Sequence, residues 1–184
     1  MSIKKAVLAG GCFWCTEAIY QRLKGVVSVL PGYTGGAIEN STYEAVSSGT
    51  TGHAEAIEIE YDPTIIPYEK LLTIFFHTHN PTTLNQQGAD IGTQYRSGIF
   101  YGDETEKEIA KRIIRELETE KVYSDPIVTE LIPLTRFYQA ENYHKDYYDR
   151  NQNQGYCHIV ISPKIAKLMK EYGSAVKDEF KKIV

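Results

Sequence analysis

The sequence predicts an α+β protein: a two-layer α/β sandwich around one mixed sheet, with a ferredoxin-like core and long loops. Three observations predict it. Short apolar or alternating runs of strand length interleave with helical stretches along all 184 residues. Gly- and Pro-containing breaks such as Gly10-Gly11 and Pro31-Gly32 punctuate those runs. No internal repeat, low-complexity tract or Pro/Ser-rich linker divides the chain, so residues 1–184 are expected to form a single domain, with 163–184 a C-terminal helical tail.

Each element has its own local reason. Ala6–Ala9 is a continuous apolar run, as in a strand buried on both faces. Gly10 and Gly11 break it, and a helix is expected from Phe13 to about Lys24, stopped at Gly25. Val26–Leu30 reads as a strand ending at Pro31. The Gly/Ser/Thr-rich stretch that follows reads as a long loop with a helical turn around Tyr43–Ser47, and long loops in compact domains are often functional. His53–Tyr61 alternates like a strand, Tyr68–His79 is helical, and Asn80–Gly92 is polar loop. Gln94–Tyr101 is a strand, after which Asp103 and Glu106 form a capping box for a helix to about Lys121. Ile127–Ile132 is a strand, Gln139–Arg150 an aromatic-rich helix, and His158–Ile161 a short strand. Pro163 suits the first turn of a final helix.

Composition narrows the function. A net charge of -4, from 20 basic and 24 acidic residues, gives no electrostatic footprint for nucleic acid or anionic membranes, and neither is expected as a partner. No apolar run approaches the roughly 20 residues of a spanning helix. The start "MSIKKAVLAGGC" imitates a lipoprotein signal, but Ala6–Gly11 is shorter than the roughly 7–15 residues of a signal core. Three cysteines are too few for a disulfide framework, so free thiols and a cytoplasmic location are expected.

The stretch "GGCFWCTE" concentrates the chemistry. A strand, two glycines and then Cys12 at a helix start would favour the thiolate, because unpaired N–H groups and the helix dipole attract an anion there. Packing as a small buried hydrophobe is the alternative. Cys15, at i+3, could be a redox partner, a metal ligand or core filler. A metal set of Cys12, Cys15, Cys157 and His158 is disfavoured, because adjacent residues on an extended chain face opposite ways; no metal is expected. In His53–Tyr61, Ile57, Ile59 and Tyr61 share one face and Glu58 and Glu60 the other, yet Glu55 falls in phase with the apolar set. Either Glu55 is solvated before the strand begins, or a carboxyl is buried. Burial would raise its pKa into the range of a general acid at neutral pH.

The motifs "GCFWC", "GYTGG", the Tyr of "NSTYEAV", "GHAEAI", "NPTTLNQQGADIGTQYRSGIFY" and "QAENYHKDYY" resemble the A-class peptide methionine sulfoxide reductases over about residues 4–162. That resemblance implies a single catalytic domain in which the Cys12 thiolate attacks the sulfoxide sulfur of methionine-S-sulfoxide, free or in oxidised proteins. It implies that Glu55 protonates the oxygen and that Tyr43 and Tyr95 hydrogen-bond it. Phe13 and Trp14 would wall the methyl group, and Asp90 would line the pocket. The product at Cys12 would be a sulfenic acid, resolved by a second thiol to a disulfide. Some members resolve from the C-terminal region, which favours Cys157. Cys15 stands where many have Gly and is its close rival. No cofactor is implied beyond an external dithiol such as thioredoxin, and a monomer is expected. His53 reads as a structural hydrogen-bonder, His77 and His79 as helix-end caps, and His144 as packing.

Overall fold

In a computed structural model that describes residues 2–183, one six-stranded sheet carries the chain. The strands are β1 (Lys4–Gly10), β2 (Val26–Thr34), β3 (Ala54–Tyr61), β6 (Ser97–Tyr101), β7 (Glu130–Pro133) and β8 (Phe137–Gln139). They lie in the order β7-β6-β1-β3-β2-β8, antiparallel except for the β6–β7 pair. The central four, β6-β1-β3-β2, with α1 (Phe13–Gln21) linking β1 to β2 and α3 (Tyr68–Thr78) lying between β3 and β6, reproduce the expected ferredoxin-like core with its mixed sheet.

The pleat explains the layers. Ala6, Leu8, Val29, Ile57, Ile59 and Ile99 join one buried cluster with Ile19, Leu71, Phe75, Ala110 and Ile113, so α1, α3 and α4 (Glu104–Thr119) cover one face. Val7, Ala9, Ala54, Ala56 and Phe100 form a smaller cluster on the other face, covered by Ile132, Leu134 and Phe137. Full burial of an apolar side chain of that size is worth roughly 1.5–3 kcal/mol, so the helical face supplies most of the drive.

Several elements differ from the sequence expectation, each for a visible reason. Strand β2 does not stop at Pro31 but continues to Thr34. The proline carbonyl accepts from Ala140 N–H at 2.9 Å, so its ring nitrogen faces the open end of β8, where no ladder bond is lost. Residues 93–95 form a 3-10 turn before β6, which puts Tyr95 on a turn and not on a strand. The loop after α3 contains a small hairpin, β4 (Gln86–Gln87) with β5 (Asp90–Ile91). Asp103 caps Glu106 N–H as expected, but the Glu106 carboxylate reaches back to Gly102 N–H.

The larger corrections are near the C-terminal end. Residues 139–150 are not one helix: β8 is followed by a 3-10 turn at Asn142–His144 and a single helical turn, α5 (Tyr147–Arg150), with Asp146 left-handed at φ 54. Residues 157–161 are not a strand either; they form a π-helical turn running into α6 (Ser162–Tyr172). The β-branched Ile159, Val160 and Ile161 suggest a strand over His158–Ile161, but Cys157 and Ile161 are the buried pair, four residues apart, which is helical spacing.

Candidate active site

The first strand delivers the nucleophile through two glycines. Gly11 sits at φ +87, and a Cβ there would lie 2.6 Å from the Gln87 side chain. Only glycine allows both that turn and the close approach. Gln87 in turn exchanges hydrogen bonds with the Asn80 backbone at 2.9 and 3.0 Å, so the β4–β5 hairpin is pinned over the β1–α1 junction and carries Asp90 with it.

Cys12 is the N-cap of α1, with extended backbone (φ -55, ψ 124), and is 6% exposed. Its thiol does not behave as the helix start alone suggested. Burial pushes its pKa well up, with further upward contributions from Cys15 and Glu55, and the first helical N–H is already taken. Desolvation therefore outweighs the helix dipole. The neighbouring Cys15, one turn along, goes the other way: the Cys12 thiol hydrogen-bonds to it, and its pKa comes down to about 7. The two sulfurs titrate as one unit.

Glu55 is buried at 2% exposure, in phase with Ile57 and Ile59, so the solvated alternative falls away. Its Oε2 accepts the Phe13 N–H at 3.0 Å. Desolvation raises its pKa to about 8, helped by Asp90 and Cys15 and opposed by the Phe13 bond, which leaves it protonated at neutral pH. Tyr43 and Tyr95 have pKa values raised by burial and by Glu55, so their hydroxyls keep their protons and can donate.

These groups meet at one cavity of about 160 Å³, lined by Cys12, Phe13, Trp14, Tyr43, Glu55, Asp90, Tyr95 and Tyr156. That is below the roughly 300–1,000 Å³ of a drug-sized pocket and suits the tip of a side chain. Larger hollows elsewhere, such as one of about 430 Å³ beside His77 and Lys167, contain none of these groups. Of the residues singled out in the sequence, Cys15 and Cys157 are the ones outside the lining. Both are buried behind it in an apolar cluster with Cys12, Ala18, Ile161 and Ile165. Although a polar, Gly-containing stretch at 151–155 precedes it, Cys157 is not carried over the cavity; it is fully buried in the π turn, with its pKa raised by burial and by Cys15. Its neighbour His158 on the same turn is exposed, so the two side chains point apart.

The sequence reading missed three contributors. Tyr156 donates to Asp90 at 2.6 Å and lies 3.9 Å from the Cys15 sulfur. Glu141 accepts from the Tyr33 hydroxyl and the Tyr43 N–H, both at 2.8 Å, and so fixes the start of α2 (Tyr43–Ser47) beside the cavity. His144 accepts from Trp14 Nε1 at 3.1 Å, with burial pushing its pKa down. Glu141 and His144 lay inside a motif already quoted, but nothing local marked what they touch. His53 braces the 36–38 loop, accepting from Gly36 N–H at 3.0 Å and pairing with Ile38 O at 2.7 Å, while His79 bonds Phe75 O at the end of α3.

A reactive thiol, a neutral buried carboxyl and phenolic donors around a small aromatic cavity define a thiol-dependent oxidoreductase on an α+β sheet. The family model described as peptide methionine sulfoxide reductase matches residues 4–176, and the chain belongs to that family. A curated relative from Saccharolobus solfataricus, named peptide methionine sulfoxide reductase MsrA, is 55% identical, with 94% of this chain and 96% of the relative covered. The reduced form of Mxr1 from Saccharomyces cerevisiae superposes with a TM-score of 0.77 at 36% identity, covering 84% of this chain and 89% of that one. Mxr1 in complex with Trx2 superposes with a TM-score of 0.55 at 27% identity, covering 79% and 84%. The activity is thiol-based reduction of methionine sulfoxide to methionine.

Proposed function

We propose that Cys12 attacks the sulfur of methionine-S-sulfoxide while Glu55 gives its proton to the oxygen. The observation that carries this reading is a protonated carboxyl and a buried thiol facing one small cavity. Moving the Cys12 proton to Cys15 leaves the anion on the attacking sulfur. The S–O bond breaks, the thioether of methionine is released, and Cys12 keeps the oxygen as sulfenic acid. Tyr43 and Tyr95 hold the oxygen by donating to it as charge develops, in the manner of an oxyanion hole. Phe13 and Trp14 wall the methyl group, and Asp90, held by Tyr156, completes the rim.

A second thiol then expels water from the sulfenic acid and leaves a disulfide. Cys15 is the free thiol that interacts with the Cys12 thiol, and Cys12 is an N-cap with non-helical backbone, which eases a bridge across i,i+3. The geometry favours Cys15 for the first disulfide and Cys157, in the same apolar cluster, for a following exchange. An external dithiol such as thioredoxin regenerates the enzyme, in keeping with the Trx2 complex of Mxr1. Free and protein-bound substrate both present the same small head to the cavity. We read the chain as a single-domain monomer of the cytoplasm, where free thiols persist, without nucleic-acid or membrane partners.

One turnover without reductant, followed by peptide mass spectrometry, tests this. A Cys12–Cys15 bridge, or Cys15–Cys157 with Cys12 free, is expected, and none in Cys12→Ser. A Cys12–Cys157 bridge that forms at the same rate in Cys15→Ala would remove Cys15 from the sequence of events.

A further inference from the structure

Glu17 lies outside the cavity, on α1 five residues beyond Cys12, and takes no part in the chemistry above. It is a carboxyl at 1% exposure, an expensive thing to bury. Its Oε1 accepts the Asp146 N–H at 2.9 Å, and the next N–H, from Tyr147, lies where it also favours the charged carboxyl. Asp146 holds a left-handed backbone (φ 54, ψ 30), which a non-glycine residue keeps only when its surroundings enforce it. Gln21, one turn further along α1, grips the Asp146 side chain at 2.5 Å. Tyr147 then lays its ring flat on Trp14, with centroids 3.7 Å and planes 7° apart.

We propose that Glu17 is a positioning residue: its carboxylate grips the 146–147 turn and so holds Tyr147 against Trp14, setting the wall of the substrate cavity. The part about substrate rests on the reading of Trp14 as that wall; the grip itself does not. A carboxylate accepts N–H groups strongly on either oxygen, whereas a protonated carboxyl turns one oxygen into a donor and is the weaker acceptor. Burial raises the Glu17 pKa to about 7, aided by Asp146 and Asp149 and opposed by the two backbone bonds. Arg22 neutralises Asp149 at 2.5 Å, and Lys145 and Lys177 border the hollow beside Asp146 and Asp149. Burial itself favours the protonated form, but the backbone bonds favour the carboxylate, so while Glu17 stays buried the grip on the turn loosens as pH falls through neutrality and tightens as it rises.

Trp14 is the chain's only tryptophan, so its emission reports the stack directly. The reduced protein is expected to show an emission transition near pH 7 that Glu17→Gln abolishes. Cys15 titrates in the same range next to Trp14, so Cys15→Ala is the control and is expected to keep the transition. A transition that survives in Glu17→Gln, or disappears in Cys15→Ala, overturns the proposal. Should Glu17→Gln fold too poorly to titrate, Cys15→Ala and Glu55→Gln carry the test, since both groups titrate near neutral pH beside Trp14: loss of the transition in either overturns the proposal. In single turnover, Glu17→Gln is expected to raise the half-saturating methionine sulfoxide concentration several-fold, with the saturating rate within about twofold of wild type. A lost transition with unchanged half-saturation keeps the grip and sinks Trp14 as the wall.

Discussion

The floor of the cavity and its outer wall are held by different means. Cys12, Phe13 and Glu55 form the floor, and each sits at the end of a hydrogen-bonded strand or at the start of a helix packed on the sheet. The outer wall is made of Tyr43, Tyr156 and the Tyr147 that backs Trp14, all on short turns. Those turns are fixed by single side chains reaching groups far away in sequence: Glu141 to the Tyr43 N–H, Glu17 to the Asp146 N–H, and Trp14 to the His144 ring. The floor is a product of regular structure, while the wall is a product of long-range carboxylate bonds and ring contacts. Disturbing the floor should change chemistry; disturbing the wall should change binding and local stability.

The largest effect is expected at the floor. Glu55→Gln should cut the single-turnover rate by roughly 10²–10⁴-fold, as loss of a general acid commonly does. The same variant should gain stability in a defined pH window. The folded pKa of about 8 lies above the ordinary 4.5, so the folded state holds a proton that the unfolded state releases. The protein is therefore favoured below about 4.5 and loses stability as pH rises through 8. Each pH unit is about 1.4 kcal/mol, so the gap amounts to roughly 4–5 kcal/mol at pH 8. Denaturant titration should find Glu55→Gln stabilised by a few kcal/mol at pH 8 and near wild type at pH 4.5. Equal stability at both would mean the carboxyl is not buried neutral.

At the wall, Glu141→Ala removes the acceptor for the Tyr33 hydroxyl and the Tyr43 N–H. Hydrogen bonds to charged groups are worth roughly 1.5–3 kcal/mol each, less here because the Glu141 side chain is about one-third exposed. A loss of about 1–3 kcal/mol is expected, with a weaker grip on substrate and the Glu55-dependent step intact. Burial pushes the Glu141 pKa up, but its backbone bonds and the Tyr33 hydroxyl hold it below the ordinary value. Its stabilisation is therefore present above about 4.5 and fades as pH falls through the lower folded value. A wild-type stability curve flat through that acid range, and indistinguishable from Glu141→Ala, would show that the strap carries no load.

The same division explains what could be read from the sequence. The core strands, the α1 start and the anomalous phase of Glu55 follow from local periodicity, because regular structure imposes its period on the residues that form it. The resemblance to a known family then assigned roles to Tyr43, Tyr95 and Asp90 that their local sequence did not. Residues 139–161 were misread because their pattern is set by partners elsewhere. Glu141, His144 and Asp146 sit in a stretch with helical periodicity, yet each is committed to a distant group that breaks the helix. A polar loop precedes Cys157, but the buried face it shares with Ile161 decides its place. The thiolate expected at Cys12 failed for a similar reason: a helix start is visible locally, whereas the depth of burial is not.

Two glycines give the finest test of the division. Gly11→Ala places a methyl group 2.6 Å from Gln87 at φ +87, so either the backbone twists or the β4–β5 hairpin lifts. Strain of that kind costs roughly 1–3 kcal/mol, and because Asp90 rides on the hairpin the reductive rate should fall too. Gly155, at the start of the helical stretch before Cys157, meets nothing within 4 Å of a would-be Cβ. Gly155→Ala should therefore stabilise by about 0.5–1 kcal/mol through the unfolded state and helix propensity alone, leaving catalysis unchanged. Thermal melts and single-turnover rates on the pair would separate the regions. If Gly155→Ala destabilised the protein, or slowed disulfide formation, the turn before Cys157 would have to open during turnover, and the outer wall would be a moving part and not a fixed one.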